Sequence, residues 1–362
     1  MSLIYKIALS MIQNVGHVTA KHLLTHFITP EAVFKADKKV LMQVPGIGLI
    51  TAEHILGKNA LLKAKEQLKF IEKYQVKVLF YTDDDYPSRL RNCNDAPILL
   101  YYRGTANLNH PRIISIVGTR MATSYGKMLC KQLAEVLAPY GVLIVSGLAY
   151  GIDICAHQES LAQGIPTVGV LAHGLDRMYP QVHGPAAQKM VLNGGLLTEF
   201  PPYTNPDKEN FPKRNRIIAG ISDVTIVVEA ASKGGALITA DLANSYHRDV
   251  YAFPGRTTDI YSEGCNFLIK TNRAGLMSHA KDLPYFLGWE ESTLKAVVPT
   301  ELPADLSDIE VQILKVLKVS DMELDALTHQ IGLPQSKLLL HLLTLEIEGL
   351  LTSLPGKRYR LN

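Results

Sequence analysis

Three stretches of the chain share one design, an apolar run that ends in a glycine-containing turn. Residues 113–120 read IISIVGTR, residues 142–153 read VLIVSGLAYGID, and residues 224–239 read VTIVVEAASKGGALIT. Runs of apolar, mostly β-branched residues are typical of strands buried on both faces. Each run passes through glycine into a segment with helical spacing. The repetition predicts strand–turn–helix units of a parallel sheet.

The rest of residues 73–289 continues this alternation. Further apolar runs predict strands at 76–81, 166–171, 196–199 and 250–253, and amphipathic segments predict helices at 125–137, 153–162 and 240–246. Strands that alternate with helices require cover on both faces of the sheet. The sequence therefore predicts an α/β region, a Rossmann-like, doubly wound and mostly parallel sheet over 73–289.

The two flanks of this region predict smaller modules. Residues 1–72 carry Leu, Ile and Ala at helical spacing, and the interruptions at 14–16 and 44–48 resemble hairpins of a helix-hairpin-helix (SAM-like) all-α module. Residues 290–306 are rich in charge, Thr and Pro and predict a linker. Residues 307–362 predict a winged-helix module, because a Ser307–Glu310 capping box precedes three short helices and a basic terminal hairpin.

Composition excludes several classes of protein. The chain has 362 residues, 47% hydrophobic and 20% charged, which suits a globular protein. The net charge is only +3, so any nucleic-acid binding must come from local charge. The four cysteines match no zinc pattern and are expected as reduced thiols. Because the sequence shows no leader-like or membrane-spanning apolar run, we expect a cytoplasmic protein. We also expect no metal and no cofactor.

The turns that follow the strands carry the residues expected to bind anions. These turns are Gly118-Thr119-Arg120, Ser146-Gly147 and Lys233-Gly234-Gly235. Glycine lets the backbone approach a ligand, and free N–H groups at a helix start bind anions. Each glycine alone would equally suit a tight turn. Together on one edge of a parallel sheet, the turns predict a phosphate-binding surface.

A cationic segment indicates which phosphate ligand is expected. Residues 210–220 read NFPKRNRIIAG, a stretch that contains Phe211, Lys213, Arg214, Asn215 and Arg216 and that an apolar helix is expected to follow. Cations beside an aromatic ring are typical of single-strand binding, in which phosphates meet cations and bases stack on rings. The alternative is a solvated charge run with Arg216 in a structural salt bridge.

Several of these motifs, in this order and spacing, resemble the DprA/Smf family of DNA-processing proteins. They are Val117-Gly118-Thr119-Arg120, Ser146-Gly147-Leu148-Ala149, Gly174-Leu175-Asp176 with Tyr179-Pro180, Thr198-Glu199-Phe200-Pro201, residues 211–220, residues 235–240, Ala252-Phe253-Pro254-Gly255 and Gly264-Cys265-Asn266. The resemblance covers about residues 76–289. Members of the family often carry helical and winged-helix flanks like those predicted here.

The resemblance implies a function and a set of site residues. It implies a homodimer that binds single-stranded DNA in natural transformation, protects incoming strands and loads the RecA recombinase onto strands covered by single-strand-binding protein. The family is not known for catalysis, so no catalytic residue is expected. Carried over by position, Arg120, Phe211, Lys213, Arg214 and Arg216 match the family's basic pocket. Gly118, Ser146, Gly147 and Gly235 match its backbone loops. One departure is Gly234, where the family often has Ser.

Two other functions stay open at this stage. The core distantly resembles Rossmann-like phosphoribohydrolases, which would make the protein an enzyme acting on nucleotides, but residues 232–237 lack their Pro-Gly-Gly-x-Gly-Thr loop. No dinucleotide fingerprint or Walker motif occurs either. A winged-helix repressor of duplex DNA is the third idea, and the predicted recognition helix at 335–348 has Lys337 as its only Lys or Arg. A protein-interaction role suits that helix better.

Four groups of polar residues are expected to be structural. They are His22 with His26, Asp153 with His157, Asp83-Asp84-Asp85, and Glu199 with Glu229. The histidine pair has metal-binding spacing without an acidic partner between its members. Asp153 and His157 follow Ser146 but are expected to cap their helix and to bond nearby backbone. The two glutamates are expected to orient arginines.

Overall fold

The computed structural model describes residues 3–289, 306–317, 322–348, 350–354 and 358–361, which form two compact units, one up to residue 289 and one from residue 306. Almost all of the predicted linker therefore lies outside the described residues. The first unit opens with six helices: α1 Leu3–Ser10, α2 His17–Phe27, α3 Pro30–Lys35, α4 Lys38–Leu41, α5 Leu49–Leu56 and α6 Asn59–Tyr74. We call these helices the helical module.

Nine strands of the first unit form one sheet. They are β1 Lys77–Phe80, β2 Leu99–Gly104, β3 Ile113–Val117, β4 Leu143–Ser146, β5 Thr167–Val170, β6 Gly194–Thr198, β7 Val224–Val227, β8 Asp249–Ala252 and β9 Gly275–Leu276. Their spatial order is β1-β2-β6-β5-β4-β3-β7-β8-β9. The seven strands in the spatial order β6-β5-β4-β3-β7-β8-β9 are all parallel to their neighbours, and the β1–β2 and β2–β6 pairs are antiparallel. This order confirms the predicted mostly parallel, doubly wound sheet.

Helices cover both faces of the sheet. They are α7 Ser88–Arg91, α8 Ser124–Leu137, α9 Ile152–Ala162, α10 Gly184–Leu192, α11 Asn210–Ile221, α12 Gly235–Ser245, α13 Glu263–Lys270 and α14 Asp282–Phe286. One apolar cluster packs α11 and α12 against the sheet, and a second packs α8 and α9. Such two-sided cover is the reason that strands such as β3 and β4 are buried throughout.

Two strands were not predicted, and one predicted boundary differs. β2 reads LLYYRG and pairs antiparallel on both sides, and β9 has only two residues. The helical module was expected to end at residue 72, but α6 continues to Tyr74. An apolar cluster joins the module to the sheet through Phe80, Leu99 and Tyr101. The module and the sheet therefore share one core.

The second unit has the predicted winged-helix order. Its elements are α15 Asp308–Leu317, β10 Met322–Glu323, α16 Leu324–Ile331, α17 Gln335–Ile347, β11 Leu351–Leu354 and β12 Arg358–Leu361. The strands form a sheet in the order β10-β12-β11, and an apolar cluster of its own fills the unit. The predicted capping box is present, since the Ser307 N–H and hydroxyl donate to Glu310 Oε2 at 2.9 and 2.8 Å. Among the described residues, no helix is long and apolar enough to span a membrane.

Candidate functional site

The chain reverses its winding direction between β3 and β7. From β3 it proceeds outward through β4, β5 and β6, and then returns to place β7, β8 and β9 on the other side. Connections that diverge in this way leave a crevice beyond the carboxyl ends of the two central strands. A cavity of about 370 Å³ lies there. The predicted site residues that line it are Gly118, Thr119, Arg120, Phe211, Arg214, Asn215, Lys233, Gly234 and Gly235.

An outer concavity of about 470 Å³ adjoins this cavity. Arg120, Phe211, Asn215 and Gly235 line both, so the two spaces form one depression, which we call the cleft. The outer part adds Tyr179 and Lys208. Neither was among the predicted site residues, although Tyr179 belongs to one of the family motifs. Lys208 lies between Asp207 and Glu209, so the sequence shows no local excess of positive charge that would indicate a site there.

The Phe211 ring is the centre of the cleft. The Arg120 guanidinium lies over it with its central carbon 5.1 Å from the ring centroid, and the Arg214 guanidinium lies 5.9 Å away. The Tyr179 ring packs edge-on at 6.2 Å. Phe211 is half-buried and Arg120 is exposed. An aromatic ring that lines open space next to two cations combines a stacking surface with positive charge.

Arg214 forms the buried floor of the cleft. It is only 4% exposed, and its Nη1 donates to the Val170 carbonyl at 2.9 Å. Burial, followed by repulsion from Arg120, lowers its pKa to about 10, and Asp153 opposes that shift. The guanidinium therefore stays charged at neutral pH. Its Nε has no hydrogen-bond partner among the described residues.

The glycine at position 147 makes room for that arginine. A Cβ there would lie 1.7 Å from Arg214 Nη1 and 2.5 Å from Asp153 Oδ2. Any side chain would therefore displace the charged floor of the cleft. Gly147 also lines a small adjoining cavity with Arg120, Phe211 and Arg214, and its part in a phosphate-binding loop stays a prediction.

The turn after β3 is tightly fixed. The Thr119 N–H donates to the Glu229 carbonyl at 2.7 Å, so this N–H is not open to a ligand. The Glu229 carboxylate accepts the Thr123 N–H at 3.0 Å and the Thr123 hydroxyl at 2.5 Å. Thr123 in turn caps α8 through the Gly126 N–H. These bonds commit Glu229 to positioning the Arg120 turn. Among the described residues it forms no ion pair with an arginine, unlike the role that the sequence predicted.

The turn after β7 is open by contrast. Lys233, Gly234 and Gly235 are exposed, and α12 begins at Gly235. The first N–H groups of an 11-residue helix such as α12 have no intrahelical acceptor and carry the positive end of the helix dipole. Asn215 Nδ2 donates to the Gly235 carbonyl at 3.3 Å and ties this turn to α11. The arrangement suits a phosphate beside Lys233.

Three predicted site side chains lie elsewhere. Ser146 is fully buried and donates to the Ile116 carbonyl at 2.5 Å. Lys213 is exposed and lies outside the cleft lining. Arg216 is 8% exposed and contacts Glu199, His17 and the Asp95 carbonyl. This is the structural salt bridge that the sequence left open as the alternative.

The helix explains why the three cations separate. They were expected to precede a helix, but α11 already begins at Asn210. Each helical residue turns by about 100°, so residues 214 and 216 lie on nearly opposite sides. Arg214 faces the sheet, and Arg216 faces the helical module.

The polar groups set aside from sequence are structural here too. His157 Nδ1 lies 2.6 Å from the Thr167 hydroxyl, and burial lowers the pKa of His157 to about 3. Asp153 accepts the Ala149 N–H at 3.4 Å but is the second residue of α9, whose N-cap is Gly151, so it does not cap the helix as predicted. His157 likewise contacts a side-chain hydroxyl and not the predicted backbone. Asp83 pairs with Lys6, and Asp85 with Lys77. Within the described ranges, no cluster of three or more His, Cys, Asp or Glu side chains could hold a metal.

Comparison with known proteins identifies the same three regions. The model of the DNA recombination-mediator protein A family matches residues 77–288, a DprA winged-helix model matches 298–357, and a SAM-like helix-hairpin-helix tandem matches 6–56. Protein Smf of Synechocystis is 33% identical over 98% of this chain and 98% of its own length. The DNA processing protein DprA of Streptococcus pneumoniae is 38% identical over 56% of this chain and 71% of its own length.

Two solved structures share the fold. That of DNA processing protein A from Streptococcus pneumoniae has a TM-score of 0.65 and 28% identity, covering 79% of this chain and 98% of that one. That of DNA processing protein A from Helicobacter pylori has a TM-score of 0.54 and 31% identity, covering 59% of this chain and 96% of that one. The family match spans more than half of the residues and includes the cleft. The chain therefore belongs to the DNA recombination-mediator protein A family, the DprA/Smf proteins.

Proposed function

We propose that the cleft binds single-stranded DNA and that the protein acts in DNA processing during natural transformation. The observation that carries the proposal is the Phe211 ring at the reversal point of the sheet, with the guanidinium carbons of Arg120 and Arg214 5.1 and 5.9 Å from its centroid. Family membership supports it. The structure of the Helicobacter pylori relative is described as giving insights into that protein's single-stranded DNA binding mode.

Each part of the cleft has a role in this proposal. A base stacks on Phe211 or Tyr179, since stacking on aromatic rings tolerates any base. The flanking phosphates meet Arg120, Lys233 and the first N–H groups of α12. Arg214 stays fixed beside Phe211, where it adds charge without moving. Such a site reads no sequence, which suits a protein that receives arbitrary incoming strands.

We further propose that this binding protects incoming strands and passes them to partners. The partners are the RecA recombinase, single-strand-binding protein and a second copy of this chain in a homodimer. The proposed compartment is the cytoplasm. These assignments follow the family rather than any contact in the cleft.

We propose binding without catalysis. Of the described residues that line the inner cavity, Asp153 has the one carboxylate, and it is buried beside Arg214. His157 is neutral and buried, and Glu229 is committed to Thr123. The rival phosphoribohydrolase would release adenine from AMP. Incubation with AMP and chromatography for free adenine tests this, and turnover would overturn the binding-only proposal.

The decisive experiment is a fluorescence-anisotropy titration with oligo-dT and with duplex DNA at two salt concentrations. Arg120→Glu with Lys233→Glu reverses two exposed cleft cations, and Lys131→Glu with Lys189→Glu makes the same change on exposed helical lysines outside the cleft lining. We expect the cleft variant to lose at least about tenfold in affinity and the control to lose little, because each phosphate contact contributes a salt-dependent term. Equal losses in both variants would refute the cleft as the binding site.

A further inference from the structure

Helix α6 carries an unusual concentration of positive charge. Residues 59–74 contain four lysines and two glutamates, a net charge of +2, while the entire chain carries +3. Lys65, Lys69 and Lys73 are exposed and recur every four residues, so they lie along one face. A row of exposed lysines on successive helical turns matches a polyanion better than a single small anion.

Exposed aromatic rings lie beside this row. Tyr74 is 40% exposed and Tyr203 is 72% exposed, and both pack against Phe70, with ring centroids 4.5 and 6.0 Å from it. The Lys73 ammonium lies 5.2 Å from the Tyr74 ring centroid. Cations interleaved with exposed rings are the combination that single-stranded nucleic acids use. It is also the combination found at Phe211 in the cleft.

The loop that presents Tyr203 is braced. Tyr203 has a φ of 71°, a left-handed conformation that is rare for a bulky residue. Its N–H donates to Asp176 Oδ1 at 2.6 Å, and Asp176 pairs with Arg177 at 2.9 Å. Arg177 also bonds the Asn205 side chain in the same loop. The contacts hold a large ring in solvent at a conformational cost, which is common where a side chain serves a ligand.

The same segments connect this surface to the cleft. Pro206 and Lys208, three and five residues after Tyr203, line the outer concavity. The segment that contains Arg177 also reaches the cleft. Tyr179 follows Arg177 by two residues and packs on Phe211. The partly exposed Arg177 belongs to both segments, since it bonds Asn205 in the Tyr203 loop and precedes Tyr179 by two residues. Cations and rings thus continue from the mouth of the cleft to α6.

We propose that Lys65, Lys69, Lys73, Tyr74 and Tyr203, the α6 surface, bind the single strand where it leaves the cleft. This inference rests on the proposed function and extends it from one site to a track. The occupant is single-stranded because exposed rings need open base faces, which a duplex withholds. The lysines hold the phosphates, and Tyr203 and Tyr74 stack on bases.

Strand length separates the two sites in an experiment. An oligo-dT of about 10 nucleotides is of the size that one compact site covers, whereas one of about 40 can reach a second surface. The variant Lys65→Glu, Lys69→Glu, Lys73→Glu is compared with Lys39→Glu, Lys131→Glu, Lys189→Glu, which reverses as many exposed lysines on other helices. We expect the α6 variant to weaken binding of the long strand at least about tenfold and to lower its salt slope by about 2, since single strands give about 0.7 per phosphate contact.

The short strand and the control decide the outcome. Unchanged binding of the short strand by the α6 variant supports the track, because the cleft then works alone. Equal loss for both lengths, or equal loss in the control, overturns the track. If the unmodified protein binds neither strand, the proposed function itself fails, and this result is distinct from a failure of the α6 surface alone.

Tyr203 provides a second, uncharged test. Tyr203→Ala removes the ring and should weaken binding of the long strand by at least about fivefold, the low end of a stacking interaction. Tyr203→Phe keeps the ring and should restore it. Equal affinities of Tyr203→Ala and the unmodified protein for the long strand would overturn stacking at this position, whatever the lysine variant does.

Discussion

Helix α11 supplies one arginine to each of two regions, the cleft and the junction between the helical module and the sheet. At the cleft, Arg214 lies beside Phe211 and borders open space. At the junction, Arg216 is enclosed by Glu199, His17 and the Asp95 carbonyl. The two residues are of one type, on one helix and both buried. Arg214 borders space that a ligand can enter, whereas protein groups already surround Arg216. This difference separates a ligand site from a structural ion pair.

The largest effect expected from this comparison is on stability at the junction. Arg216→Ala leaves the Glu199 carboxylate, whose side chain is 6% exposed, without its arginine. Removing one partner of a buried ion pair costs about 3–5 kcal/mol because the remaining charge stays buried. Urea denaturation should show this loss in the free energy of unfolding, while the affinity of the folded protein for oligo-dT stays unchanged. Arg103→Ala on exposed β2 surface is the control, and a loss below about 1 kcal/mol would contradict the structural role.

The next effect concerns affinity at the cleft. Phe211→Ala removes the ring beside the two guanidinium groups, and we expect oligo-dT binding to weaken by about 1–3 kcal/mol, the usual contribution of one stacked base. Anisotropy titration measures it, and urea denaturation checks that the fold survives. Phe211→Tyr keeps a stacking face and should bind nearly as well as the unmodified protein. If both substitutions leave affinity unchanged, the strand does not stack on residue 211.

The contrast between Arg214 and Arg216 also shows what the sequence could predict. The glycine turns after β3 and β7 predicted the edge of the sheet at which the cavity lies, because parallel strands all end there. The cluster of cations was misplaced because the helix was expected to follow it, whereas Pro212 and the cations lie within α11. Proline is tolerated within the first helical turn, so α11 starts at Asn210 and distributes the cations around its axis.

Other parts of the cleft depend on tertiary structure alone. Tyr179 reaches Phe211 from a loop more than thirty residues earlier in the sequence. Lys208 lies between acidic neighbours, so local charge does not mark it. Gly147 fits an anion-binding loop by pattern, but its role appears only when Arg214 occupies the adjacent space. Sequence patterns predict helices, strands and the edge of the sheet at which turns gather. They do not predict which side chains from distant segments come into contact.

The free energy of unfolding should also depend on pH through the buried His157. Burial, followed by repulsion from Arg214, lowers the pKa of His157 to about 3. The unfolded chain takes up this proton near pH 6.5, so stability is lost as pH falls below that value, by about 1.4 kcal/mol per unit down to pH 3. Urea denaturation at pH 7.0 and 5.5 should show a smaller pH dependence for His157→Gln than for the unmodified protein. Identical pH dependence in the two would mean that His157 is not held neutral.

The smallest effect expected is a gain at the open side of the cleft. Gly234 occupies the position where the family often has Ser; a Cβ there would meet no atom within 4 Å, and its φ of 166° is extended backbone open to any residue. Gly234→Ser therefore adds a hydroxyl beside Lys233 and the start of α12 without a clash. One further hydrogen bond to a phosphate is worth about 0.5–1.5 kcal/mol net, or about two- to tenfold in the dissociation constant for oligo-dT. Gly234→Ala adds the Cβ alone and should change nothing. An equal gain in affinity in both variants would mean that loss of glycine flexibility in the turn, and not the hydroxyl, causes it. No gain in affinity from Gly234→Ser would mean that the phosphate lies out of reach of the hydroxyl.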